Sequence, residues 1–418
     1  MTRRGAACIV HALRRWNVAG DARLLSGAAQ TPTPFVAAWG NGDFGRLGVD
    51  AACRNQLQPQ RMRGLPAGAS PTAVRAGGAH TLVLLQTGDG SSEVWSCGLN
   101  DWGQLGHSAS EEHAALPRRV LGLPPDVCDV AAGAFHSLAV TRSGELWAWG
   151  RNKEQQCGLG AAAAARVDAP ARVALDAAVA AIAAGMRHSL AVAHDGALYS
   201  WGARALLGLG EQPWQAFASR GEHTPRLVRA LRGVRVLTAA AGGQHSAVAD
   251  ADGRVFTFGD GHFNQLGTGD DRAAAEPVLV ADVHAVAHVA CGGLHTLCAT
   301  HGGDVYSWGA NEHGCLGLGD VGGPQLRTPS RVPDVALARG VSAGWKHSAG
   351  VSAGGALYTF GWGGTAGEGE HSSGGQLGLD SECDFWAPVR VTLPDGTRAL
   401  QVDCGWNHSA GLFVSDAA

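Results

Sequence analysis

Seven histidines occupy one recurrent position in this 418-residue chain, and imidazole is the side chain best suited to acid–base or metal chemistry near neutral pH. Each ends the pattern Gly-x-x-His followed by Ser or Thr: "GGAHT" with His80, "GAFHS" with His136, "GMRHS" with His188, "GGQHS" with His245, "GGLHT" with His295, "GWKHS" with His347 and "GWNHS" with His408. A catalytic constellation is usually unique, whereas a structural unit recurs, so seven copies in one register read as building blocks. Imidazoles rotated from unit to unit do not converge on one ion or substrate. The expectation is that each bonds backbone groups between strands.

The other reactive residues lead to no catalytic assignment either. Ten cysteines include no CxxC and no zinc-type spacing with histidine. Cys298 with His301, and Cys315 with His313, lack third and fourth ligands nearby, so no metal site, cofactor or disulfide framework is expected, and a reducing compartment is the better fit. The chain also lacks a Gly-x-Ser-x-Gly elbow, a Walker loop, HExxH and recurring paired carboxylates.

The elements that position the histidines emerge from a second motif, an aromatic residue and Gly followed by Leu-Gly or a relative of it. It begins at Trp39, Cys97, Trp149, Trp201, Phe258, Trp308 and Phe360, with cysteine in the aromatic place once. In five copies the aromatic follows the histidine by thirteen residues, and from His80 to Cys97 the interval is seventeen. Between the two lie short apolar runs split by Ser-Gly, Asp-Gly or Gly-Gly, which is the pattern of a β-hairpin. The first aromatic-Gly motif has no histidine before it and the last histidine has no aromatic-Gly motif after it. Joined, the two half-units make a seventh blade, so the reading is an all-β, seven-bladed propeller closed by pairing the N- and C-terminal strands.

These motifs resemble those of the RCC1 repeat family over roughly residues 35 to 414, and the domain is drawn as 35–418. The resemblance implies a seven-bladed β-propeller. It leaves several roles open, because the family includes a nucleotide exchange factor for a Ran-type GTPase, a plant ultraviolet-B photoreceptor, and organelle proteins linked to ribosome assembly or RNA processing. The photoreceptor branch repeats Gly-Trp-Arg-His-Thr. Here only Trp345 and Trp406 match the tryptophan, and Lys346 and Asn407 replace the arginine, which argues against that role.

The alanine-rich tract at 160–185 favours helix by propensity, but the repeat register assigns it to a loop and strands. No run of eighteen apolar residues occurs, so no membrane span is expected. Residues 1–34 hold Arg3, Arg4, Arg14, Arg15 and Arg23 against Asp21 alone, the composition of a mitochondrial presequence, with a plastid signal or a basic nuclear tail as alternatives. Removing them takes the formal charge from −4 to a more acidic −8, a balance that does not favour direct nucleic-acid binding. Arg226, Arg229, Arg232 and Arg235 nonetheless form a local basic run.

Propellers bind through loops at their rims, so departures from the repeat are the candidate partner contacts. Trp345, Lys346, Trp406 and Asn407 occupy the turn before the histidine, where other copies carry smaller residues next to the glycine. A Gly-rich excursion adds Trp362, Glu368, Glu370 and His371, and the long connection at 210–225 adds Trp214. A longer hairpin tip lies at 87–93. The leading functional expectation is a non-enzymatic mitochondrial scaffold for a protein partner in a ribosome or RNA-processing complex. The alternative is an exchange factor for a small GTPase.

Overall fold

The histidine and aromatic-glycine motifs face each other across one hairpin. In the computed structural model, the strands His188–Ala193 and Leu198–Gly202 pair antiparallel, with His188 opposite Gly202 and Ser189 opposite Trp201. The thirteen-residue interval is the length of that hairpin. In the copy with the longer interval His80 still faces Gly98 and Thr81 faces Cys97, so the extra residues are spent on the tip. Gly202 has φ +105°, and a Cβ there would lie 2.6 Å from the Arg187 carbonyl oxygen, which explains why glycine follows the aromatic.

The structure describes residues 33–50, 55–107, 110–210, 221–319, 323–335, 338–364 and 374–415. Within them, strands form seven four-stranded antiparallel sheets. Blades 1 to 6 span residues 70–119, 127–173, 179–227, 236–279, 286–331 and 338–390. The seventh combines both ends of the chain, in the order Asn55–Arg61, Pro34–Asn41, His408–Ser415, Thr397–Cys404. Pro34–Asn41 pairs with His408–Ser415 along seven residues, so the ring closes with no open edge between first and last blade. The alanine tract is strand at Arg166–Val173 and Val179–Ala184, and no α-helix occurs among the described residues. Burial of Val173, Val179, Ile182 and Ala183 against neighbouring blades outweighs the helix propensity of the alanines between them.

The motif aromatics fill the wedges between blades. Trp201 is fully buried among Leu138, Ala148 and Cys157 of the preceding blade and Ile182 and Ala191 of its own. Its Nε1 donates to the Gln156 carbonyl at 2.8 Å, which also accepts the Ser189 hydroxyl at 2.8 Å. That carbonyl keeps a partner if the indole is lost, and Phe258 and Phe360 occupy the corresponding place in two blades. Trp201→Phe should therefore cost only about 1–2 kcal/mol in denaturant unfolding, for one hydrogen bond and a small loss of packing.

The innermost strands line an axial channel. Arg75 crosses from blade 1 to Asp129 of blade 2 at 2.8 Å and also donates to the Val130 carbonyl at 3.0 Å, both side chains being buried. On the other side, the Ala76 amide donates to Asp403 of the closing blade at 2.9 Å. Blade 1 is thus tied to both neighbours inside the channel.

Candidate partner-binding rim

One rim of the ring carries all seven Gly-x-x-His turns together with the loops that follow the aromatic-glycine pairs. The two are joined by backbone: the Arg151 amide donates to the Phe135 carbonyl, Ala203 to Arg187, and Trp362 to Lys346, at 2.8–3.0 Å. Each turn is also linked to the next blade, from Gly78 N–H to the Gly133 carbonyl at 3.1 Å around to Trp406 N–H and the Gly77 carbonyl at 3.3 Å. These seven bonds make a closed backbone circle.

The histidines lie beneath this circle, buried. Each Nε2 lies 2.8–3.0 Å from the hydroxyl of the next blade: His80 with Ser137, His136 with Ser189, His188 with Ser246, His245 with Thr296, His295 with Ser348, His347 with Ser409, and His408 with Thr81. The backbone partner expected from the sequence is therefore one step removed, because it is the hydroxyl that reaches a carbonyl, as Ser137 does with Gln104 at 2.8 Å. A hydroxyl that spends its proton on a carbonyl can only accept from the imidazole, which assigns the proton to Nε2. Nδ1 packs against the glycine three residues earlier: a Cβ on Gly133 would lie 2.6 Å from His136 Nδ1. A second ring proton would have no acceptor there. Burial accordingly lowers the pKa to about 3 for His80, His136, His188, His295 and His347, to about 4 for His245, and well below the usual value for His408. Neutral, buried imidazoles of this kind offer neither a base nor a ligand to solvent.

At the mouth of the channel on this rim, three half-buried aromatics from three blades form a run. Phe135 meets Trp406 edge-on with ring centroids 5.1 Å apart, and Trp406 meets Trp345 at 5.5 Å. The Trp345 ring leans over the bare backbone of Gly293, 3.0 Å from where a Cβ would be. Lys346 pairs with Glu312 at 3.1 Å, and the Asn407 carbonyl accepts the Asn41 amide at 2.8 Å. Trp362 sits further out against His313, 5.9 Å between rings, and His313 bonds Asp384 at 2.7 Å. Trp214, Glu368, Glu370 and His371 lie outside the described residues.

Sequence reasoning missed Phe135, which stands one position after the tryptophan site in its turn and so escaped a comparison made at that site alone. It also missed the cations beside it. Arg151 lies over both Trp102 and Phe135, at 5.3 and 5.6 Å, and Lys153 over Trp102 at 4.5 Å. Arg187 adds a guanidinium whose Nε is buried without a hydrogen-bond partner. The channel mouth encloses about 70 Å³. That is far below the roughly 300–1,000 Å³ of a small-molecule site, so the mouth can take a protruding side chain but no cofactor-sized group. Among the described residues no group of three His, Cys, Asp or Glu is placed to hold a metal ion, and eight cysteines are free thiols.

Residues 35–411 match the RCC1-like domain. The chain belongs to that family. Among RCC1-like relatives, the ultraviolet-B receptor UVR8 of Arabidopsis thaliana is 31% identical over 90% of this chain and 70% of its own length. The regulator of chromosome condensation of Mus musculus is 29% identical over 93% and 92%. The RCC1 domain-containing protein RUG3, mitochondrial, of Arabidopsis thaliana is 31% identical over 58% of this chain, which spans about half (53%) of that protein. Of solved RCC1-like structures, human WBSCR16 superposes with a TM-score of 0.79 at 26% identity, covering 92% of this chain and all of the other. The relatives' names point to different roles, so the family establishes the architecture and leaves the task to the rim.

Proposed function

We propose that this protein is a non-enzymatic interaction scaffold that meets a protein partner with its turn rim, in a mitochondrial complex concerned with assembly or RNA. The run Phe135–Trp406–Trp345 carries the reading. Rigid, half-buried aromatics beside arginine are the residue types that dominate interface energetics, and here they are held by a backbone circle. The arginine-rich residues 1–34 and the likeness to RUG3 support the compartment.

Exchange activity on a small GTPase is the second reading, favoured by the likeness to the regulator of chromosome condensation along nearly the whole chain. Such a factor stabilises the nucleotide-free GTPase and needs no acid, base or nucleophile of its own. Tagged full-length chain and a version lacking residues 1–34 separate the two after cell fractionation. The scaffold reading expects mitochondrial full-length protein, cytosolic truncated protein, and ribosomal or RNA-processing proteins co-purifying with the former. A nuclear protein that retains a nucleotide-free GTPase would replace it with the second reading.

A further inference from the structure

The opposite rim carries the hairpin tips and the connections between blades, and one of those connections holds a charge pattern that the partner-binding rim does not use. Between blades 3 and 4, Arg229, Arg232 and Arg235 are all exposed, and no ion pair among the described residues engages them. Two of the acids on nearby tips are held by an arginine of their own hairpin. Arg254 holds Asp250 at 2.6 Å and Asp252 at 3.1 Å, and Asp195 accepts the Ala197 amide of its own turn at 3.0 Å.

Arg235 also borders a groove of about 390 Å³ that enters the channel from this rim. Ile182, Val192 and Leu237 make its wall apolar, with His194 and His301 at its edge. Leu237 is 50% exposed, at the point where the register of its strand shifts between Val236 and Thr238. Thr238, 9% exposed, lines the groove with a hydroxyl that has no hydrogen-bond partner. The carboxylate in the groove wall, Asp129, is already neutralised by Arg75. An exposed leucine beside the unpaired Arg235, with Arg229 and Arg232 further out along the same connection, is complementary to a ligand that is both acidic and aliphatic.

We propose that this groove and its arginine arm bind an acidic polypeptide segment, with an aliphatic side chain on Leu237 and carboxylates on Arg235 and on Arg232 and Arg229 along the connection. A polypeptide fits better than a nucleic acid because no Phe, Tyr or Trp lines the groove to stack a base. The site is independent of the turn rim.

Fluorescence anisotropy on the full chain tests this with three labelled probes: a short peptide of alternating Glu and Leu, poly-glutamate of equal length, and oligo-uridylate. The alternating peptide should bind most tightly. Arg229→Glu, Arg232→Glu and Arg235→Glu together should weaken it about tenfold or more, with the thermal midpoint unchanged because all three side chains are exposed and unpaired. Leu237→Ser should remove the preference for the alternating peptide over poly-glutamate. Equal affinity in the charge-reversed variant, no binding of the alternating peptide, or tighter binding of oligo-uridylate would each overturn the assignment.

Discussion

Acidification should unfold this propeller cooperatively near pH 5, with the uptake of about seven protons. Each imidazole of the ring is held neutral, with its pKa lowered by burial to about 3 in five blades and about 4 in a sixth, and well below normal in the seventh. In the unfolded chain the same groups titrate at about 6.5. Between the two values the unfolded state binds more protons, so stability is complete above pH 6.5 and falls as the pH drops toward the folded values. One histidine costs about 1.4 kcal/mol per pH unit in that window, and seven cost about 10 kcal/mol, comparable with a whole domain's stability of about 5–15 kcal/mol. Circular dichroism against pH, with proton uptake measured alongside, checks both midpoint and stoichiometry. Retention of the fold at pH 4, or a transition that takes up only one or two protons, would contradict the neutral ring.

Replacement of Gly133 by alanine should cost about 3–5 kcal/mol although it adds a single methyl group. The new Cβ would lie 2.5 Å from His136 Cε1 and 2.6 Å from the Gly185 carbonyl oxygen. Both groups are fixed, the first by its bond to Ser189 and the second by accepting the Ala134 amide at 3.1 Å. Relief of the clash breaks either the imidazole ring or the backbone circle, so lost hydrogen bonds add to the overpacking. Gly88, on a hairpin tip with nothing within 4 Å of a Cβ, is the internal control, and Gly88→Ala should change the unfolding free energy by no more than about 0.5 kcal/mol. Equal effects at the two sites in urea titrations would show that the turn circle is dispensable.

The blade number, the hairpins, the closure of the ring and the strand character of the alanine tract could all be read from the sequence, because each depends on spacing that recurs in every unit. The seryl or threonyl residue after each histidine was visible too. Its partner was not, because Ser189 answers His136 of the previous blade rather than His188 beside it. Contacts across blades are long-range: Arg75 finds Asp129 54 positions away, and Phe135 finds Trp406 across the closure. Each of these pairs joins residues that break the repeat in different ways, so no periodicity announces them. Of the candidate contacts, Trp345, Lys346, Trp406, Asn407 and Trp362 share one rim, a grouping that follows only once strand direction is known.

The aromatic run at the channel mouth is the partner-binding surface proposed above. Its most direct test is quantitative comparison of the proteins that co-purify with tagged full-length chain and with its Trp345→Ser, Trp406→Ser variant. Both tryptophans are half-buried at the surface of the rim and lie outside the interblade wedges, so the variant should keep its fold by circular dichroism. Recovery of the specific partners should fall at least about tenfold, as expected for the loss of hot-spot aromatics. An unchanged set of partners, with the fold intact, would contradict it.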